Sequence, residues 1–544
     1  MLRATLFFVF LLGQLFAQSL PTKWIFVDDF AGEQPYFSAL SSSSQNLDLA
    51  LMKWTQAAQR DRYWLANARI DTISDSLNVY LSTGPQFSWE NLELDSLSER
   101  MISRWKIEHP TKNPSVWLNE LLRYYENTGY PFASIEILDF NLQGGAMSGR
   151  AQVQPGPYIS IDSIALKGYS SVRRSLLRFE LGIHSGMEYN ERTISRLSQR
   201  IDRIPFLGFA RQPQVLFSKE KSVLFLYIQE EKNNRFNGIA GLNSLQDGGV
   251  TVTGEVDLLL QNSLNKGERL EVQWRRPGVE MQMLDVAFDF PFPFDLPFGV
   301  TGALNFLRQD SSFLNIDFLG GLRFWASKDA RLRLLYESKQ SVILSEESFV
   351  TGAANFSARF VKLGLEYNNS NHFLQPTKGV RFFGHVGRGV RNSFEESENQ
   401  WRALGSLEIF QPIWGRFGAY SRSLSATLLT DNYLPNELYR IGGVNSLRGV
   451  NEQSLFASSY FIQSAELRYA LDRFSYIQLL GDFGVIENRS GFQTGLQRNY
   501  AVGAGMTFRT ELGLLQLIYA VGKQGSNSFD FQASTLHIGY TSTF

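Results

Sequence analysis

Arg269-Leu270-Glu271-Val272-Gln273-Trp274-Arg275 alternates strictly, with every even-numbered residue apolar and every odd one polar or charged. A two-residue period puts one chemistry on each face of an extended strand. The same rhythm returns at Arg331-Leu332-Arg333-Leu334, opens at Gln400-Trp401-Arg402-Ala403 and closes at Glu466-Leu467-Arg468-Tyr469. From Phe236 to Phe544 roughly sixteen such segments follow one another, each about ten residues long. That is the pattern of an antiparallel transmembrane barrel with a wet lumen, assigned to residues 233–544. A soluble β-sandwich also alternates, but this many strands exceed one sandwich. Aromatics recur near strand ends (Trp274, Phe324, Trp325, Tyr336, Tyr367, Trp401 and Trp414), as interfacial girdles require. The last strand carries Leu536, Ile538, Tyr540 and Phe544 on one face. Inside lipid, only closure of the sheet satisfies its edges.

Composition narrows the alternatives. The 544 residues include 10 Trp, 21 Tyr and 43 Phe, no cysteine, and a formal net charge of −1. At roughly 100–200 residues per domain, the length suggests about three to five modules. Mean hydropathy is −0.17. Past the first twenty residues no apolar run reaches the ~18 needed for a helical span, which excludes a helical membrane bundle. Nucleic acid rewards basic patches that release counterions, and a charge-balanced chain has no such surplus. Without cysteine there is no disulfide framework, thiolate metal site or lipidated N-terminal cysteine. Arg3 precedes the apolar stretch Leu6 to Phe16, and Ala17-Gln18 offers a cleavage point, so residues 1–17 read as a secretory signal.

Ahead of the barrel, strands alternate with helices in a repeated order. Leu77 to Leu81 leads into Gly84-Pro85, and Gly149 to Val153 leads into Gly156-Pro157, about 72 residues further on. The clearest copy spans 157–232. It has a strand with Ile159, Ile161 and Ile164, a helix over Val172 to Leu181, and a second helix capped by Asn190 with Ile194, Leu197 and Ile201 on one face. Phe206 to Phe209 breaks that helix, and strands over Pro213–Ser218 and Val223–Gln229 close the unit. A second module over 85–156 carries Trp117, Leu118, Leu121, Leu122 and Tyr125 on its helix. A less regular first one covers 22–84, with Leu47, Leu51 and Trp54 on one helical face.

The longest non-alternating stretch of the barrel lies between its eleventh and twelfth strands and contains Tyr439 to Val450. Strand phase points Glu466 and Arg468 inward on the following strand, and Asp482 inward on the next. Two readings fit. In one, the loop folds into the lumen and Arg448 forms a bidentate pair with one or both carboxylates, a geometry suited to a planar guanidinium. Gly442, Gly443 and Gly449 then let the backbone turn tightly against the wall. In the other, Glu466, Arg468 and Asp482 are simply solvated lumen charges.

The segment Gly442-Gly443-Val444-Asn445-Ser446-Leu447-Arg448-Gly449-Val450 resembles the lumen-loop motif of the BamA/TamA superfamily, the bacterial surface antigen barrels. Val450 stands where that family usually has an aromatic. Glu466-Leu467-Arg468 is similar to the family's Gly-x-x-Glu-x-Arg strand, with Gln463 in place of the glycine. Leu480-Gly481-Asp482-Phe483-Gly484 is similar to its Phe-x-Asp-x-Gly strand, with Leu480 replacing the Phe. Asn371 to Gly379 resembles its Pro-Thr-x-Gly turn, and Gly503-Ala504-Gly505 through Leu512-Gly513-Leu514 its penultimate hairpin. The modules look like POTRA domains, TamA-like in number.

The resemblance implies a factor at the outer membrane of a Gram-negative bacterium, with modules in the periplasm, that inserts or exports client polypeptides. Its implied partners are unfolded clients adding strands to module edges, outer-membrane lipid, and accessory periplasmic or lipoprotein subunits, with no nucleic acid and no cofactor. The seam would join the first strand, weakened by Gly238 and Gly241, to the last, with Gly539, Tyr540 and Phe544. A dedicated two-partner-type secretion pore is the alternative, followed by a porin or an outer-membrane hydrolase. Enzyme readings are poorly served. The 5 His are scattered, no metalloprotease, nucleophile-elbow or phosphate-loop motif is present, and Ser218-x-x-Lys221 sits in a charged turn. Glu466 and Asp482 as an acid/base pair would both be kept ionised by the nearby arginine.

Overall fold

The computed structural model describes residues 23–28, 47–60, 63–73, 76–94, 114–143, 145–169, 171–231, 234–244, 250–276, 281–345, 352–373, 375–393, 396–472, 474–491, 494–510, 513–525 and 534–542. The signal segment 1–17 and Phe544 lie outside the described residues. Two compact units result, one of residues 1–159 with 188–191, the other of 160–187 with 192–544.

The first unit holds two three-stranded sheets of one plan. In each, the last strand in sequence lies at the centre, parallel to the first and antiparallel to the second. These are Ser76–Ser82 between Lys23–Asp28 and Asn67–Ile73, and Ala146–Gln154 between Ser88–Leu94 and Ser134–Gln143. The helix Pro114–Glu126 buries Trp117, Leu121 and Tyr125, four residues apart, against Leu92, Ala151 and Val153. Beyond its end Gly129 takes φ 90°, and Asn127 and Thr128 side chains cover the Arg123 and Tyr124 carbonyls.

A third sheet in the second unit repeats the plan, with Ser222–Glu230 between Ser163–Gly168 and Leu207–Phe217. Here the sequence reading needs correction. The helix expected over Val172–Leu181 is α-helical only at Arg174–Leu176 and widens into a π turn over Leu177–Leu181. The wide turn buries Leu176, Leu177 and Leu181 together. The next helix divides at Arg196 into Glu191–Ser195 and Leu197–Ile201. The strand expected from Pro213 begins at Leu207 instead, because Leu207 and Gly208 already pair with Glu230 and Gln229.

The barrel domain is one sixteen-stranded antiparallel sheet in which each strand pairs with its sequence neighbours. The strands that matter below are the first (Arg235–Ser244), the eleventh (Phe417–Leu429), the twelfth (Ser459–Ala470), the thirteenth (Tyr476–Asn488) and the sixteenth (Thr535–Ser542). Phase sorts the side chains as the alternation requires: Phe461, Leu467, Ile477 and Leu479 are exposed outward, while Ser464, Glu466, Gln478 and Asp482 are buried inward. Closure is the point of difference. The first and last strands run close together, yet among the described residues no hydrogen-bonded ladder joins them.

The third module packs on one rim of the barrel, here called the module rim. Phe179 and Trp325 both pack against Phe292, at centroid distances of 5.3 and 4.3 Å. Glu180 accepts from Trp325 Nε1 at 3.0 Å and pairs with Arg331 at 2.7 Å. Arg173 pairs with Asp295 at 2.8 Å, and the Phe373 amide donates to the Asp202 carbonyl at 3.0 Å. Trp325 is therefore no lipid-facing girdle residue, because Glu180 satisfies its indole N–H on the inner side. Tyr336, also read as a girdle residue, sits mid-strand.

Candidate functional site

The chain leaves the eleventh strand, turns through Pro435–Glu437, and builds a small hairpin of Tyr439–Ile441 against Leu455–Ala457 inside the barrel. Alternation is lost here because the segment has a core of its own. Ile441, Leu447, Val450 and Ala457 are all at most 2% exposed and pack with Ile462 and Ile486 of the wall. Val450, smaller than the aromatic of the family motif, thus fills a closed apolar site.

Arg448 sits at the tip. Its Nε donates to Asp482 Oδ2 at 2.8 Å, its Nη2 donates to Asp482 Oδ1, and its own backbone N–H reaches Oδ2 at 3.1 Å. Nη1 donates to Glu466 Oε1 at 2.5 Å. The other oxygen of Glu466 accepts from Arg468 Nε at 2.8 Å, and the Arg468 guanidinium lies over the rings of Tyr420 and Tyr476, at 4.1 and 4.8 Å. Arg448, Glu466 and Asp482 are each under a tenth exposed, so the reading of solvated lumen charges does not hold for them. Asp482 engages two nitrogens of the fork, Glu466 one. A buried pair of this kind contributes little against an apolar substitute, but removing one member strands the others at a cost of about 3–5 kcal/mol.

The glycines make the approach possible. Gly449 takes φ 74°, and a Cβ there would lie 2.6 Å from the Gly522 backbone nitrogen on the fifteenth strand, Gly513–Gln524. Gly442 has φ 124°, and a Cβ would collide with the Asn451 carbonyl; Gly443 donates its N–H to the Val450 carbonyl at 3.0 Å. Tip and wall therefore touch backbone to backbone.

Sequence reasoning missed the other end of the loop. Glu437 is buried and accepts from Arg391 Nη1 at 2.5 Å and from Gln400 Nε2 at 3.0 Å. Arg391, itself 2% exposed, also pairs with Glu398 at 2.9 Å. Asn436 donates to Ser341 Oγ at 2.6 Å and to the Ala354 carbonyl at 2.8 Å. Arg440 donates to Gln309 at 2.9 Å and lies 4.4 Å over Phe456, and Glu452 stands 3.6 Å from Arg275. The loop thus touches the wall from the third strand to the fifteenth and bridges the lumen. Inward phase marked Arg391 and Glu398, and a polar Pro-Asn-Glu turn marked the loop, but no motif tied them together.

A cavity of about 290 Å³ remains toward the module rim, lined by Arg381, Glu408, Tyr420, Arg468 and Tyr476 and by Gly539 of the last strand. Of the proposed seam residues, Gly539 shares this cavity with Arg468. Gly238 pairs with Val256 and Gly241 with Thr253, Tyr540 pairs with Leu515, and Gly539 pairs with Gln516. Among the described residues no group of three or more His, Asp or Glu is arranged to hold a metal.

A sixteen-stranded antiparallel barrel with a buried arginine loop, preceded by α+β modules, defines an outer-membrane barrel of the POTRA-bearing class. Residues 308–536 match the Omp85 superfamily domain, which places that domain in the barrel part of the chain. No curated protein matches the sequence. Among solved structures, CdiB from Acinetobacter baumannii is similar at 14% identity over 94% of this chain and 100% of that one, with a TM-score of 0.50. CdiB from Escherichia coli is similar at 14% identity over 95% and 100%, TM-score 0.50. BamA from Haemophilus ducreyi lacking POTRA domains 1–3 is similar at 15% identity over 83% and 98%, TM-score 0.44. At such identities the likeness is one of fold.

Proposed function

We propose that this protein inserts or exports client polypeptides at the outer membrane, with three POTRA modules, at 22–84, 85–156 and 157–232, in the periplasm. The observation that carries the reading is the seam. Every other neighbouring pair of strands is laddered, but among the described residues no ladder joins the first and last, which run side by side. An exposed edge is a template for an incoming strand, since main-chain hydrogen bonds give affinity without demanding a sequence. The module sheets supply further edges for an extended client, such as Ser134–Gln143. A lumen bridged from wall to wall is a poor route for general diffusion, which speaks against a porin.

The chain's lack of cysteine gives a clean test: one cysteine on each edge strand, oxidised to lock the seam. Activity is expected to fall to background when locked and to return on reduction; full activity with the crosslink closed sinks the proposal. Assembly and dedicated secretion separate in a deletion strain. Loss of many barrel proteins from its outer membrane marks an assembly factor, and loss of one exported protein marks a secretion pore.

A further inference from the structure

The outer surface of the barrel is not the same at its two ends. Outward aromatics lie at both ends, as at Phe236, Phe298, Phe324, Trp414 and Tyr469 by the module rim and at Trp401 and Tyr500 toward the opposite, distal end. Among the described strand residues only the distal end adds outward cations: Arg276, Arg308, Arg359, Arg388, Arg498 and Lys523 all fall in the outward phase of their strands. Among the described residues, the outward positions of the sixteen strands carry one carboxylate, Glu487, and it is paired with Arg489 at 2.9 Å. None of the six cations has an ion-pair partner among the described residues. The acids of the strands face the lumen instead, where they pair with a separate, inward set of arginines.

The spacing fits a bilayer. Arg308 stands ten residues beyond Phe298, Arg359 eight before Tyr367 and Arg498 ten before Phe508. At ~3.3 Å per residue and a tilt of ~40°, these intervals span roughly 20–25 Å, the height of a barrel's apolar band. Two pairs lie on adjacent strands, Arg359 with Arg388 on the eighth and ninth and Arg498 with Lys523 on the fourteenth and fifteenth, and the first pair also has an aromatic partner. Arg359 lies opposite Ser338 and Val390, Arg388 lies opposite Val361 and Trp401, and the Arg388 guanidinium is 5.8 Å from the Trp401 ring centroid. Arg359 and Arg388 are diagonal neighbours, roughly 7–8 Å apart, and Asn399, on the same outward face, lies opposite Val390.

We propose that this patch, centred on Arg359 and Arg388, binds the phosphorylated headgroup of a lipid in the distal leaflet. The inference rests on the membrane placement proposed above. Two guanidiniums without acidic partners, at the border of an apolar surface, are complementary to phosphates presented at that level. Snorkelling alone explains a stray cation, but not a surface on which the acids have been sorted to the other face.

The full-length protein in detergent is titrated with a bis-phosphorylated, acylated glucosamine disaccharide, with the same lipid stripped of phosphate, and with inorganic phosphate. The phosphorylated lipid is expected to bind about thirtyfold tighter than the stripped one, at about fivefold per cation. In the R359Q/R388Q variant that preference is expected to disappear. Equal binding of the two lipids overturns the proposal, as does a preference that survives in the variant, or inorganic phosphate binding as tightly as the lipid. If the variant does not fold, the wild-type comparison of the two lipids still decides. Insertion into neutral phosphatidylcholine vesicles is measured alongside; failure there strikes the membrane placement, whereas insertion without phosphate preference strikes only the headgroup site.

Discussion

Arg448 and Arg391 are both buried, both face two carboxylates and both fix the same loop, but from opposite sides. At the tip the loop supplies the cation, and the wall supplies Glu466 and Asp482. At the other anchor the wall supplies the cation and Glu398, and the loop contributes Glu437. The surroundings differ too. Asp482 engages two nitrogens of the Arg448 fork in addition to its backbone N–H. Glu437 and Glu398 each keep further donors, Gln400 and the Leu434 amide for one, Thr430 and Asn432 for the other. At the tip Asp482 depends on Arg448 alone while Glu466 also keeps Arg468, and at the other anchor both acids keep neutral donors.

That contrast fixes an order of effects. Arg448→Ala should weaken the loop most, by about 3–5 kcal/mol, because buried Asp482 loses its cation while Glu466 keeps only Arg468. The folded, heat-modifiable form should melt at lower temperature and the 451–454 turn should become open to protease; an unchanged profile breaks the comparison. Arg391→Ala should cost less, roughly 1–3 kcal/mol, since neutral donors remain on both acids. If the anchors are independent, the double variant should be additive within about 0.5 kcal/mol; a large coupling term would show one cooperative strap. The smallest effect, about 1–2 kcal/mol of overpacking, is expected of Gly522→Ala, whose added methyl meets the Gly449 carbonyl. Destabilisation larger than that of Arg391→Ala would shift the weight of the loop from ion pairs to backbone contact.

The unequal legibility of the two anchors has a physical cause. The tip was readable because three glycines bracket one arginine, and because strand phase alone turns Glu466 and Asp482 inward. The barrel was readable for the same reason, since a period of two holds along most of each strand and slips only at a bulge such as that between Pro412 and Trp414. Arg391 lies on the ninth strand of the wall and Glu437 in the loop, and only the folded course of residues 431–441 brings them together. The third module shows the limit of helical periodicity: Leu176, Leu177 and Leu181 fit an α-helix on paper, but burying all three took a π turn. Trp325 was misread because an aromatic near a strand end says nothing about which face receives a carboxylate such as Glu180.

The position of the loop also constrains how the chain is made. Its hairpin core and the Arg448 cluster use residues 439–488, contacts of short sequence separation, whereas Arg440 reaches back to Gln309 and Asn436 to Asn315. Short-range contacts carry the smaller loop-closure entropy and form early. The strands around residues 417–488 can therefore assemble with the loop already seated, and the earlier strands then wrap onto it. The plug would serve as a mandrel for its own barrel.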